Sequence, residues 1–155
     1  MPENNQVTGL TFLVIDDDDV VLQTVSALLK ASGAKKVHTA PNGMAARDAL
    51  AKKDPADTID CILSDFNMEP MNGLVLLREI RACRVAGVRP DVCFILLTIT
   101  GERVVVGGAK EMDVNGYMVK PVTRESLVAG IAKARSRYFK LRTPPEYDGI
   151  LIPVS

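Results

Sequence analysis

Four short apolar runs in this chain each end in a residue that could handle a phosphoryl group. Ile62-Leu63 leads through Ser64 to the carboxylate of Asp65, and Leu13-Val14-Ile15 leads to Asp16-Asp17. Ile95-Leu96-Leu97 ends in the hydroxyl of Thr98, and Tyr117-Met118-Val119 in the ammonium of Lys120. Gathered at one place, three carboxylates would repel one another unless a cation joined them or a proton were retained. An all-oxygen set with few protein donors favours Mg²⁺, which keeps several waters and pairs with phosphate. Lys120 adds a positive point charge and Thr98 a hydroxyl donor. The set describes a site for a phosphoryl group on Asp65, with metal, ammonium and hydroxyl on three sides of it. Phosphoryl transfer is catalysed mostly by such positioning and charge stabilisation. Singly, each residue has a plainer reading. Asp16 to Asp19 could be an acid-rich helix start, Asp65 a helix cap, and Lys120 an ordinary strand-end lysine.

The elements around these residues must bring them together. Leu10–Ile15, Lys36–Ala40, Ile59–Ser64, Val92–Leu97 and Tyr117–Val119 read as short strands, several apolar on both faces as in a parallel sheet. Between them lie helical patterns. The first follows a cap at Asp18 or Asp19, shows the stripe Val21, Val25, Leu28, Leu29 and stops at Gly33. The second spans Met44–Lys53. The third spans Gly73–Ala86, with Leu76, Leu77, Ile80 and Cys83 on one face. The fourth, Glu102–Met112, is a weak helix former, with Val104-Val105-Val106 and Gly107-Gly108. The fifth, Thr123–Lys140, is capped by Thr123 and has the stripe Leu127, Ile131, Ala134, Tyr138. Strands alternating with helices imply an α/β fold: a doubly wound, flavodoxin-like, five-stranded parallel sheet with five helices. The strand order 2-1-3-4-5 sets the first strand beside the third, so Asp16 and Asp17 meet Asp65 where ligands bind in such sheets.

Composition narrows the function. The chain has 155 residues, with 19 basic and 19 acidic side chains and no net formal charge, which suits one domain and does not favour direct DNA binding. The cysteines Cys61, Cys83 and Cys93 have no close ligand spacing and read as buried, reduced thiols, consistent with a cytoplasmic location. Residues Met1–Leu10 carry no secretory pattern, and the apolar runs are too short to span a membrane. Lys133, Arg135, Arg137, Lys140 and Arg142 read as a solvated basic face of the last helix. The domain is expected over residues 9–141. A tail, 142–155, offers Ile150-Leu151-Ile152 as a segment that could cover the region of the fourth helix, and no separate output domain is expected.

With these residues in this order, the chain resembles the receiver domains of two-component response regulators. The resemblance rests on Asp16-Asp17, Leu63-Ser64-Asp65, Met71-Asn72-Gly73, Thr98 and Gly116-Tyr117-Met118-Val119-Lys120-Pro121, and covers roughly Leu10 to Lys140. It implies that Asp65 accepts a phosphoryl group from a histidine kinase or histidine phosphotransfer protein. It implies Mg²⁺ on Asp17, Asp65 and the main-chain carbonyl of Asn67, with Asp16 acting mainly through water. Thr98 and Lys120 would bind phosphoryl oxygens, and Tyr117 would change position with Thr98. Output would be a protein contact or onward relay, with self-catalysed phosphorylation and dephosphorylation as the only chemistry. Asn67 and Thr100 occupy positions that influence hydrolytic water in the family. The chain departs from the pattern in placing Glu69 before Pro70 and the bulky Ile99 after Thr98.

Two rivals remain at this level. One is a receiver fold used only as a phosphorylation-independent interaction module, which Glu69 and Ile99 keep open. The other is a haloacid-dehalogenase-like phosphatase, since Val14–Val20 fits that family's Asp-x-Asp start with Asp16 as nucleophile and Asp18 as acid. That family's acidic pair after its lysine, and its cap segment, have no counterpart here.

Overall fold

The computed structural model describes residues 7–66, 68, 71–99, 110 and 112–152. The expected helix Glu102–Met112 falls almost wholly outside these residues, as do Asn67, Glu69, Pro70 and Thr100. The elements run β1 (Thr11–Ile15), α1 (Asp19–Ala31), β2 (Lys36–Ala40), α2 (Gly43–Lys52), β3 (Cys61–Asp65), α3 (Gly73–Arg81), β4 (Cys93–Thr98), β5 (Gly116–Val119), α4 (Arg124–Ser136) and α5 (Pro144–Asp148). The five strands form one sheet in the order β2-β1-β3-β4-β5, and every pairing is parallel. This is the expected flavodoxin-like arrangement. No helix among the described residues is long and apolar enough to cross a membrane.

Burial on both sheet faces explains the uninterrupted apolar strands. Leu13, Ile15, Ile62, Phe94 and Leu96 point to one face, where Ala46 and Leu50 of α2 and Leu74, Leu77 and Ile80 of α3 cover them. Phe12, Val14, Leu63, Ile95 and Leu97 point to the other, under Leu22, Val25 and Leu29 of α1 and Leu127, Ile131 and Ala134 of α4. The buried stripe of α1 thus runs through Leu22 rather than Val21. Asp18 caps α1 through the Val20 N–H, and Thr123 caps α4 in a reciprocal pair with Ser126.

Two helices stop earlier than their patterns suggest. At the end of α3, Cys83 adopts a positive φ of 64°, its N–H donates to Ile80 O, and the Arg84 N–H donates to Glu79 O. This is a Schellman closure with cysteine where glycine is usual. Cys83 is therefore exposed, not part of the apolar face. Likewise α4 ends at Ser136, and Tyr138 lies outside the helix at 89% exposure rather than on its buried stripe. The chain leaves α4 to lay the Phe139 ring 4.6 Å from the Arg81 guanidinium carbon.

The described part of the tail packs onto the α3 side, and the expected fourth helix that it could cover lies almost wholly outside the described residues. Tyr147 of α5 is fully buried, and Ile150 and Ile152 rest against the same core as α3. The Tyr147 hydroxyl donates to Asp113 Oδ2 at 2.9 Å, and Arg142 Nε lies 3.3 Å from that oxygen. Arg137 reaches Asp113 Oδ1 at 3.7 Å, so part of the expected solvated basic face holds the tail in place. Arg84 pairs with Asp148.

Candidate phosphoryl-transfer site

Strand register assembles the site. Ile15 pairs with Ser64, so β1 and β3 end side by side and deliver Asp16, Asp17 and Asp65 together. One ligand oxygen from each of these residues lies within 4.8 Å of the others. Asp65 pairs with Leu97, which sets the next residue, Thr98, beyond it on the neighbouring strand. Thr98 pairs with Val119, and the Lys120 N–H donates to Thr98 O at 2.8 Å. The main chain thus holds the hydroxyl-bearing and ammonium-bearing residues beside each other. A cis peptide bond links Lys120 to Pro121.

Lys120 Nζ sits 2.8 Å from Asp16 Oδ2 and 3.2 Å from Asp65 Oδ1, bridging the two carboxylates. Asp16 is fully buried; its Oδ1 accepts from the Asp18 N–H, while its Oδ2 has no aligned hydrogen-bond donor besides that ion pair. Asp65 Oδ1 accepts from the Phe66 N–H. Burial and the Asp16 charge push the Asp65 carboxyl up to about 6, against the pull of Lys120. Burial by itself would lower Lys120, but its bonds and charge interactions with Asp16 and Asp65 outweigh that and raise it. The positive charge is therefore firmly held, while one carboxylate is poorly compensated. An all-oxygen cluster of three converging carboxylates facing one ammonium fits a hard divalent cation, and Asp16, Asp17 and Asp65 are the side chains that would hold Mg²⁺.

The fit extends to the backbone below Asp65. A Cβ on Gly73 would lie 2.3 Å from Asp65 O, so only glycine lets α3 begin this close to the carboxylate strand. Gly43 likewise lets α2 approach Met71 O, where a Cβ would stand 2.6 Å away. Asn72 and Asn42 cap the two helices through the N–H groups of Val75 and Ala45. Asn72-Gly73 was visible in the sequence as part of a motif, but only the structure shows the steric reason for its glycine.

Thr98 is buried, Tyr117 half-buried, and Ile99 exposed at 58%, so Ile99 points outward instead of filling the site. Asn67, expected to offer a metal carbonyl, lies outside the described residues. Asp18, the acid required by the dehalogenase reading, is occupied as the cap of α1. Arg81 carries little signal in the sequence. It is buried at 1% exposure on the inner face of α3 and donates to Pro90 O, Val92 O, Asp113 O and Asn115 Oδ1. Its one visible sign was its place four residues after Leu77 on the apolar face of the helix.

Comparison with known proteins agrees with this geometry. Residues 12–132 match the response regulator receiver domain. Chemotaxis protein CheY-3 of Vibrio cholerae is 30% identical over 129 residues, covering 83% of this chain and 94% of that protein. The structure of chemotaxis response regulator CheY4 of Vibrio cholerae superposes with a TM-score of 0.70 at 26% identity, covering 82% of this chain and 99% of that one. The receiver domain of a sensor histidine kinase from Pseudomonas aeruginosa, solved with a magnesium ion in its active-site cleft, gives a TM-score of 0.64 at 25% identity, covering 77% of this chain and 92% of that one.

Proposed function

We propose, because this chain belongs to the response regulator receiver family, that Asp65 is its phosphoacceptor and that Asp16, Asp17 and Asp65 hold Mg²⁺ during the transfer. The protein is a two-component response regulator, and neither the phosphatase nor the pseudo-receiver reading is favoured. The observation that carries the assignment of Asp65 is the Lys120 bridge. A single ammonium lies within 3.2 Å of Asp65 and 2.8 Å of Asp16, at the strand ends where the third carboxylate also converges. A phosphoryl group on Asp65 would bring oxygens to the positive charge of Lys120 and the hydroxyl of Thr98. Mg²⁺ would neutralise the remaining charge on the carboxylates.

The donor is a histidine kinase or a histidine phosphotransfer protein, and the output is a phosphorylation-dependent protein contact or an onward relay in the cytoplasm. Thr98 and Tyr117 are the coupled switch residues, and the carbonyl of Asn67 completes the metal set. The only catalysis is of the chain's own phosphorylation and dephosphorylation. Intact-protein mass spectrometry after exposure to acetyl phosphate and Mg²⁺ tests the centre of this reading. The wild type gains one phosphoryl group and Asp65→Asn gains none; equal uptake by both would overturn it. Calorimetry tests the metal. Asp17→Asn should weaken Mg²⁺ binding by at least about tenfold, the loss typical of even an outer-shell partner. Unchanged affinity would remove Asp17 from the ligand set.

A further inference from the structure

The opposite end of the sheet carries a second cluster of reactive groups. Cys61 is the first residue of β3 and Cys93 the first of β4, and the two are register partners. Their side chains point to the same face, toward α4, and Cys61 Sγ donates to Cys93 Sγ at 3.5 Å. Adjacent strands lie about 4.8 Å apart, inside the usual Cα range of a disulfide. A modest rotation of the side chains would bring the sulfurs to bonding distance.

The two thiols differ in access and polarity. Cys61 is wholly buried, and Cys93 is only partly buried. Cys93 lines a groove of about 330 Å³ that also includes Asp60, Arg89, Asp91 and Arg135, and a second of about 210 Å³ with Arg137 and Phe139. The hydrogen bond from Cys61 and the charges of Arg135 and Arg81 hold the Cys93 thiol below its usual range, against the effect of burial. Burial pushes Cys61 up. One member of the pair is thus suited to attack and the other to resolve.

We propose that Cys61 and Cys93 form a peroxide-reactive dithiol site that closes reversibly to a disulfide between β3 and β4. The Cys93 thiolate attacks one oxygen of hydrogen peroxide. The O–O bond breaks, the second oxygen leaves as hydroxide, and Cys93 becomes a sulfenic acid. Cys61 then gives up its proton and attacks Cys93 Sγ. The S–S bond forms, the S–O bond breaks, and the departing hydroxide takes the proton as water. Two thiols lose two electrons, and hydrogen peroxide is reduced to two waters. Low-molecular-weight thiols reverse the bond by exchange. The site is separate from the phosphoryl chemistry, since Asp65 lies four residues further along β3, about 13 Å away.

The test uses the full chain with Cys83→Ser, which removes the exposed third thiol. Treatment with stoichiometric hydrogen peroxide should lower the intact mass by two hydrogens. Non-reducing peptide mapping should join the segments holding Cys61 and Cys93, and dithiothreitol should restore the original mass. Adding Cys61→Ser should halt the reaction at a sulfenic acid on Cys93, trapped by dimedone, and adding Cys93→Ser should give neither product. Should either variant fail to fold, alkylation of the native Cys83→Ser protein decides, with Cys93 expected to react at least roughly tenfold faster than Cys61. Unreacted thiols in the folded protein, a linkage formed only on denaturation, or direct overoxidation of Cys93 would overturn the proposal.

Discussion

Asp65 carries a conflict between what its chemistry needs and what its surroundings permit. Its carboxyl is held at about 6, well above the ordinary 3.8, by burial and by Asp16. The folded state therefore binds this proton more tightly than the unfolded chain does, and stability is lost as pH rises from about 4 through 6. After allowance for solvent screening, the loss is on the order of 2 kcal/mol. Metal-free protein in a chelator should show it in urea melts. Asp65→Asn should be more stable than wild type at pH 7.5, and the difference should shrink toward zero at pH 4. Saturating Mg²⁺ should restore the wild type and help the variant less. A pH-independent difference between the two would mean that the carboxylate is better compensated than the geometry indicates. Lys120 works in the opposite sense. Lys120→Ala leaves the buried Asp16 without its cation and should cost roughly 3 kcal/mol at neutral pH in thermal or urea unfolding.

The elements succeed at this site because their ends, not their middles, carry the meaning. Asp65 and Thr98 close apolar strands, Asp16 and Lys120 directly follow them and Asp17 comes one residue later, so period and position make these candidate site residues legible in the sequence. Helix ends were harder to read. The stop of α3 at Arg81 depends on Cys83 taking a left-handed conformation, for which the sequence offers no glycine. The end of α4 depends on Phe139 reaching Arg81, a contact between residues 58 positions apart that leaves no periodic trace. The start of α3 makes a sharp test of the element's role. Gly73→Ala should push the helix off the Asp65 carbonyl, cost about 2 kcal/mol or more, and reduce phosphoryl uptake although no reacting group is changed. Asn72→Ala removes only the cap and should cost about 1 kcal/mol with little effect on uptake. Equal outcomes for the two variants would show that crowding at Asp65 O is unimportant.

At the scale of the molecule, a clasp closes the end of the sheet far from Asp65. The buried Arg81 guanidinium is lowered to about 10 by burial; its two terminal nitrogens donate to carbonyl and amide oxygens rather than to a carboxylate, and the Phe139 ring lies against it. Asp113 gathers Arg137, Arg142 and Tyr147. Tyr147→Phe keeps the packing but leaves a buried carboxylate oxygen short of a donor, and should cost about 1–2 kcal/mol. Arg81→Ala should cost 3 kcal/mol or more. Chemical denaturation of each variant checks the ranking. The family match ends at residue 132 and the clasp runs on to Ile152, so the packed unit extends past the matched segment. A chimera spliced after residue 132 would keep every residue of the proposed phosphoryl site yet import a guanidinium stripped of its cover. One spliced beyond Ile152 would carry its own cover, and would be the transplantable cassette.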